Sequence, residues 1–388
     1  MRREVLAERL EIALRKALAA PSLRLIGLAG ERPVIDEQRE PWIPIKYGAA
    51  SVDDWCGVVP AVVRIQRAPG SQAERMRLAV KVNPRDGLAR TLIPWIVEHR
   101  SIALDRPYWE YRCAAGFDHT GAREQHVYAL SDRISALGDV LPRCVGHVTD
   151  EASGEHALFL EFLTHVDRLD ASGAAADWPG NAIDDALRAA GAWHAAFWNV
   201  APATVAWAGP RPETADMLAD VPLWRGLLDD ARARFPAIVT EAVWHRRHKL
   251  IDTIADWYPI KDRLPATLAH NDFNQRNVGF RPGVVVLDWE IVERNIAQRD
   301  LVEMLTFLVP PNAGRAEIDR HVNVHRTAIV EAGVSGLDRD AWFEGFRCEL
   351  KAEAINRVAH QLLFAAQFPL AYLERINANI EHLLDLYA

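Results

Sequence analysis

The 388-residue chain reads as an α+β, bilobal protein: a small antiparallel β-sheet N-lobe followed by a larger, mostly helical C-lobe. Two observations predict this. Three short β-type runs, separated by turn-forming residues, lie between residues 42 and 82. After about residue 166 the apolar side chains recur at helical spacing almost without interruption. The length suits two domains or one large unit of two lobes. The division falls after the apolar run 157–163, giving an N-lobe of residues 1–163 and a C-lobe of residues 164–388.

In chain order, Val5, Leu6, Leu10, Ala13, Leu14 and Leu18 form an apolar helical stripe over 3–19 with a charged opposite face. Residues 1–40 either pack on the N-lobe or mediate a homodimer. The β-type runs are 42–47, 58–65 and 76–82. Residues 92–117 read as mostly helical, with Pro94 and Pro107 breaking or starting helices. Strands or strand flanks are expected at 127–134 and 143–148, and a compact apolar strand at 157–163. Helices are expected at 181–198, 214–233, 236–257 and 340–386, with one β-type interruption at 284–287.

Composition excludes several classes. Nearly half the residues are apolar (49%) and a quarter are charged, which is ordinary for a globular protein. The net charge is -8, and residues 1–165 are neutral, so the acidic excess is C-terminal. Nucleic-acid binding wants a basic surface and is not expected. Cys56, Cys113, Cys144 and Cys348 are scattered without CxxC, as in a reduced, cytoplasmic protein. Charges run through the first twenty residues, so no signal peptide is expected, and no run approaches ~18 uncharged apolar residues, so no membrane span is expected.

The chemistry concentrates in residues 268–290, which hold His270, Asp272 and Asn277, then a β-run ending at Asp288. Phosphoryl transfer needs a carboxylate near the attacking hydroxyl and oxygen ligands for Mg²⁺. An Asp followed five positions later by an Asn on a tight loop can supply both, and a second Asp after a strand can share the metal. Any one of these residues alone is an ordinary turn former. Their joint order and spacing point to chemistry.

His270-x-Asp272-x4-Asn277 followed by Asp288-Trp289-Glu290 resembles the catalytic loop and metal motif of the aminoglycoside phosphotransferase and choline kinase-like family, which has a protein kinase-like fold. The resemblance implies Asp272 as catalytic base, with Asn277 and Asp288 as Mg²⁺ ligands. His270 would brace the loop. Asp300, in 298–301, would stabilise it. Trp289-Glu290 departs from the Phe-Gly of protein kinases.

The same fold needs a phosphate-binding Lys on its third strand. Lys81, inside the apolar run 76–82, is the only Lys between residues 47 and 248. Its carboxylate partner would be Glu110, preferred over Glu98 because it precedes an aromatic and a basic residue. Gly48 and Ser51 lie where a phosphate loop belongs, although GxGxxG is absent and an ordinary hairpin loop explains them equally. The run 157–163 resembles the fifth strand and hinge, where adenine would meet the backbone of Glu161 and Leu163. His194 reads as a satisfied core histidine.

These residues together imply an ATP- or GTP-dependent, Mg²⁺-using O-phosphotransferase acting on a small-molecule hydroxyl. Nine of the thirteen Trp follow residue 166, and with the acidic excess they fit a cationic acceptor such as an aminoglycoside or amino alcohol. A neutral hydroxylated acceptor is the rival, since Trp also fills cores. The alternative activity is a catalytically silent nucleotide-binding regulatory protein, against which Lys81, Asp272, Asn277 and Asp288 stand together. A protein kinase is not expected, since His-Arg-Asp, Asp-Phe-Gly and Ala-Pro-Glu are absent from the expected places.

Overall fold

The computed structural model describes residues 1–30, 55, 57–83, 87–170, 178–367 and 370–387, and only the backbone of 87–91 and 115. The described chain divides into two compact units: Met1–Leu88 with His119–Val166, and Ala89–Asp118 with Asp167–Ala388. Residues 89–118, placed by sequence in the N-lobe, therefore cluster with the second unit.

The first unit is built on a five-stranded antiparallel sheet in the order β1-β2-β3-β5-β4. Its strands are β1 (Arg24–Gly30), β2 (Gly57–Gln66), β3 (Glu74–Asn83), β4 (Cys144–Asp150) and β5 (Glu155–Glu161). Helix α1 (Arg3–Ala17) packs on the sheet beside β4 and β1. Its stripe of Leu6, Leu10 and Leu14 is fully buried in one core with Val63, Leu78, Val80 and Phe159. Packing on the N-lobe is thus what the N-terminal helix does. The close approach depends on Gly146 in β4, where an added Cβ would come within 2.5 Å of the Ala13 Cβ.

In β3, Leu78, Val80 and Val82 face this core. The period-2 alternation places Lys81 and Asn83 on the other face. Helix α2 (Gly87–His99) runs through Pro94, which removes one backbone bond without ending it. Helix α3 (Thr120–Leu130) occupies part of the segment expected as strand 127–134. Val127 and Tyr128 favour strands by propensity, but they extend the buried i, i+4 stripe of Arg123 and Glu124, and that face fixes the helix.

The second unit is mostly helical. Its longer helices include α4 (Gly180–Ala196), α5 (Gln298–Leu308), α6 (Arg315–Glu331), α7 (Arg339–Ile355), α8 (Arg357–Ala365) and α9 (Leu373–Tyr387). The long helices expected at 214–233 and 340–386 are each broken, the first at Asp220 before Pro222 and the second at Asn356. Two small antiparallel ladders interrupt the helices: β6 (Thr267–Ala269) with β9 (Glu293–Asn295), and the hairpin β7 (Val278–Arg281) with β8 (Gly283–Val286). The fold is the expected α+β class, one unit built on an antiparallel sheet and one mostly helical. Among the described residues no helix is long and apolar enough to cross a membrane.

Six of the nine C-terminal tryptophans, Trp178, Trp193, Trp224, Trp257, Trp289 and Trp342, are buried, so they pack the core. If α1 is integral to the first unit, Leu10→Ala should lower stability by about 2–5 kcal/mol. Ile12→Ala, on the exposed face (50% exposed), should stay within about 0.5 kcal/mol. Denaturant unfolding of both variants checks this, and equal effects would detach α1 from the core.

Candidate active site

The site is built from the second unit's loop 270–277 and hairpin β7–β8. The hairpin register pairs Val278 with Val286, and one step further Leu287 N donates to Asn277 O at 2.8 Å. Asn277 and Asp288 therefore sit at the same open end of one hairpin. Asp288 adopts a left-handed backbone (φ +61°), as does Asn271 (φ +68°), conformations that Asp and Asn tolerate better than most residues.

His270 ties the loop to this end. Its Nε2 donates to Leu287 O at 2.8 Å and its Nδ1 accepts from the Asp272 N–H at 3.2 Å, so the ring is a brace. Trp289 is fully buried and stacks edge-on against His270, with ring centroids 4.6 Å apart. Trp289 thus packs against the His brace.

Asp300, at the start of α5, holds the loop backbone from below. Its Oδ2 accepts from His270 N and its Oδ1 from Asn271 N, both at 2.8 Å. His194 Nε2 bonds Oδ2 at 3.0 Å, and His194 Nδ1 meets His325 Nε2 at 2.9 Å. All three side chains are fully buried. Burial alone would raise the Asp300 carboxyl, but the bonds from His194 and His270 hold it below the usual carboxylate range. Burial, with His194 alongside, pushes His325 well below the usual imidazole range. His194 is the satisfied core histidine expected.

Asp272 is the most densely contacted residue of the loop. Its Oδ2 accepts from Asn277 Nδ2 at 2.7 Å, and Asn277 Nδ2 also donates to the Asp272 carbonyl at 2.9 Å. Its Oδ1 accepts from Arg276 Nη2 at 2.6 Å, Asn274 Nδ2 at 2.9 Å and Arg357 Nη2, in α8, at 2.5 Å. Burial would raise this carboxyl, but Arg276 and Arg357 outweigh it and hold Asp272 well below the usual carboxylate range. Asn277 Oδ1 takes no donor among the described residues, so this hard oxygen suits Mg²⁺ together with the Asp288 carboxylate. Among the described residues no cluster of three or more His, Cys, Asp or Glu is placed to hold a metal alone.

Beneath the loop lies a buried ionic cluster. Arg299 pairs with Glu303 (2.5 Å), Glu349 (3.5 Å) and, closest, Glu353, while its Nε donates to Asn271 Oδ1 at 2.7 Å. Glu303 also holds Asn274 at 3.0 Å, and Glu349 takes Lys261 at 2.6 Å. Sequence reading missed this cluster. Arg276 lies inside the recognised motif and Arg299 beside Asp300, with Asp272 and Glu303 one helical turn or loop away, but Glu349 and Glu353 come from a helix fifty residues later.

In the first unit, Lys81 Nζ lies 2.6 Å from Glu124 Oε2, and both side chains are buried (7% and 1% exposed). This corrects the partner expected from sequence. Glu110 sits exposed in the short 3-10 turn Tyr108–Glu110, and Glu98 is exposed at the end of α2. Glu124 reaches β3 because α3 lies close to the sheet at Gly121, where an added Cβ would come within 2.9 Å of His156. Asn83 also donates to Glu124, at 3.2 Å. The sequence carries this partner only as a Glu three positions after a Gly on a helical stripe.

Glu161 closes β5, and its N–H donates to Arg143 O at 2.9 Å. Phe162 lies under the Arg77 guanidinium, 3.9 Å from the ring centroid. Leu163 follows outside the strand. Gly48 and Ser51, like Cys56 and the run 42–47, lie outside the described residues.

A family match gives the class of the chain, a phosphotransferase. The sequence profile of the phosphotransferase enzyme family matches residues 115–333, more than half the chain, and the chain belongs to that family. Among solved structures it is similar to a putative aminoglycoside phosphotransferase from Ralstonia eutropha JMP134 (14% identity, 91% of this chain and 98% of that one, TM-score 0.44). It is also similar to a glucosamine kinase (17% identity, 94% and 92%, TM-score 0.45). A third is the GDP complex of aminoglycoside 2'-phosphotransferase-IIIa (12% identity, 90% and 97%, TM-score 0.46). No curated protein sequence matches the chain.

The ionic cluster has a pH signature. Burial pushes the Glu353 carboxyl up to about 8, against the pull of Arg299. The unfolded value is near ~4.3. Between these values the folded state holds a proton that the unfolded state has lost, so stability falls as pH rises through the window. Wild type should lose stability from pH 5 to pH 8 relative to Glu353→Gln, by at most about 1.4 kcal/mol per pH unit. Denaturant unfolding at several pH values measures the two slopes, and equal slopes would contradict the assignment.

Proposed function

We propose that the chain is an ATP- or GTP-dependent O-phosphotransferase whose acceptor is a hydroxyl of a small molecule. The observation that carries this reading is the hydrogen-bonded Asp272–Asn277 pair, held at the same hairpin end as Asp288. In this reading Lys81, fixed by Glu124, contacts the α- and β-phosphates, and the Glu161 carbonyl and the Leu163 backbone meet the base. Gly48 and Ser51 would belong to the phosphate loop.

Asn277 and Asp288 would hold Mg²⁺, which neutralises charge on the phosphates when bound. Asp272 orients the acceptor hydroxyl. The acceptor hydroxyl oxygen forms a bond to the γ-phosphorus as the bond to the β-phosphate oxygen breaks and the nucleoside diphosphate leaves, and the hydroxyl proton passes to Asp272. A carboxylate held ionised by two guanidiniums is a weak base, so it acts chiefly by orientation and takes the proton late. That suits phosphoryl transfer, whose transition state asks for positioning and charge stabilisation more than for strong base catalysis.

Thermal unfolding with Mg·ATP and Mg·GTP, followed by turnover assays, tests this. A nucleotide at ~100 times its Kd should add about 2.7 kcal/mol of stability. The shift should disappear in Asp288→Ala. Asp272→Asn should keep the nucleotide shift and lose turnover. Normal turnover in Asp272→Asn would remove Asp272 from the mechanism, and no shift with either nucleotide would remove the kinase reading.

A further inference from the structure

The charge around Asp272 bears on the acceptor, an inference that rests on the phosphotransferase reading above. Two guanidiniums, Arg276 at 2.6 Å and Arg357 at 2.5 Å, converge on the single oxygen Oδ1. Among the described residues neither has a second carboxylate at hydrogen-bond distance. The nearest, Glu303 Oε1, is 3.8 Å from Arg357 Nη2, and Glu303 already serves Asn274 at 3.0 Å and Arg299 at 2.5 Å. Arg276 Nε donates to Asn274 Oδ1 at 3.0 Å, and its guanidinium lies 5.0 and 5.5 Å from the ring centroids of Tyr372 and Phe307. Arg276 is therefore held in place.

Arg357 is different. Its Nε is buried and has no acceptor among the described residues, while its side chain as a whole is 19% exposed. A buried guanidinium N–H without an acceptor is costly, and such donors are normally satisfied. Arg357 Nη1 also takes no acceptor among the described residues and, unlike Nε, is not sealed from solvent, so Arg357 keeps donor capacity beside Asp272. Guanidinium is the group best matched to carboxylate and phosphate oxygens.

We propose that Arg357, supported by Arg276, receives an oxyanion of the acceptor, so that the molecule phosphorylated beside Asp272 is a hydroxylated carboxylate or phosphate ester. A cationic acceptor would bring a third positive group against two guanidiniums. Carboxylates and tryptophans that favour a cation on composition alone are in part engaged inside the protein. Glu303, Glu349 and Glu353 all surround Arg299, and six of the nine C-terminal tryptophans are buried.

The test uses the full chain saturated with Mg²⁺ and a non-hydrolysable nucleoside triphosphate. Thermal unfolding is followed while two matched sets are titrated: glycerate, glycerol 3-phosphate, glycerol and 3-amino-1,2-propanediol, then gluconate, glucose and glucosamine. The acids should stabilise at concentrations at least tenfold below their neutral and amine counterparts. Arg357→Gln should raise the required acid concentration at least tenfold, Arg357→Lys should recover part of the response, and both variants should keep the nucleotide shift. An equal or stronger response to the amines or neutral compounds overturns the inference. So does an acid response unchanged in Arg357→Gln, or no acid response at all. If Arg357→Gln instead weakens triphosphate but not diphosphate binding, the guanidinium serves the donor and the inference fails. The absence of any Mg²⁺-dependent nucleotide shift in wild type would overturn the phosphotransferase reading itself.

Discussion

The candidate site depends on one buried carboxylate. Asp300 accepts the two consecutive backbone N–H groups of His270 and Asn271 and is held in turn by His194. A buried charge without partners costs several kcal/mol, so the folded state strongly favours the arrangement in which all three donors are present. That requirement fixes the backbone at Asn271 in its left-handed turn and sets the direction in which Asp272 leaves the loop. His270 then carries the constraint across to the hairpin end at Leu287, and through it to Asp288.

Around this clamp the second unit buries an unusual amount of charge. Lys261, Glu349, Arg299, Glu353 and Glu303 form a linked set of cationic and carboxyl side chains that ends on Asn271 and Asn274. Such clusters contribute little net stability compared with an apolar core, but losing one member leaves an uncompensated charge. Their effect here is geometric. The two loop side chains that flank Asp272 are each fixed by a charged donor or acceptor from α5, and Arg357 of α8 completes the set. The Asp272 carboxylate is thus ionised and oriented before any ligand arrives.

Much of this was legible in the sequence because it is local. The spacing of His270, Asp272 and Asn277, the β-run before Asp288, and Lys81 in an apolar strand each reflect a short stretch of backbone. Asp300 was legible because it closely follows the motif. Glu124 was not. It reaches Lys81 only because α3 lies against the sheet at Gly121, a packing relation that spacing from Lys81 does not encode. Arg357 and Glu353 were equally hidden, since they come from separate helices brought to the loop by the packing of α5, α7 and α8. Strand β1 escaped notice because a bulge between Leu25 and Gly27 breaks its alternation. The segment 127–134 misled because β-branched and aromatic residues also serve a helix whose buried stripe they extend.

The central claim is that Asp300 shapes the catalytic loop. Native-state amide hydrogen exchange, comparing wild type with Asp300→Ala, tests it most directly. The account expects protection at His270 and Asn271 and their loop neighbours to fall by orders of magnitude in the variant, while the amides of β2 and β3 keep theirs. Unchanged protection at His270 and Asn271 in a folded variant would contradict it, and the geometry of Asp272 would then have to arise from the arginines alone.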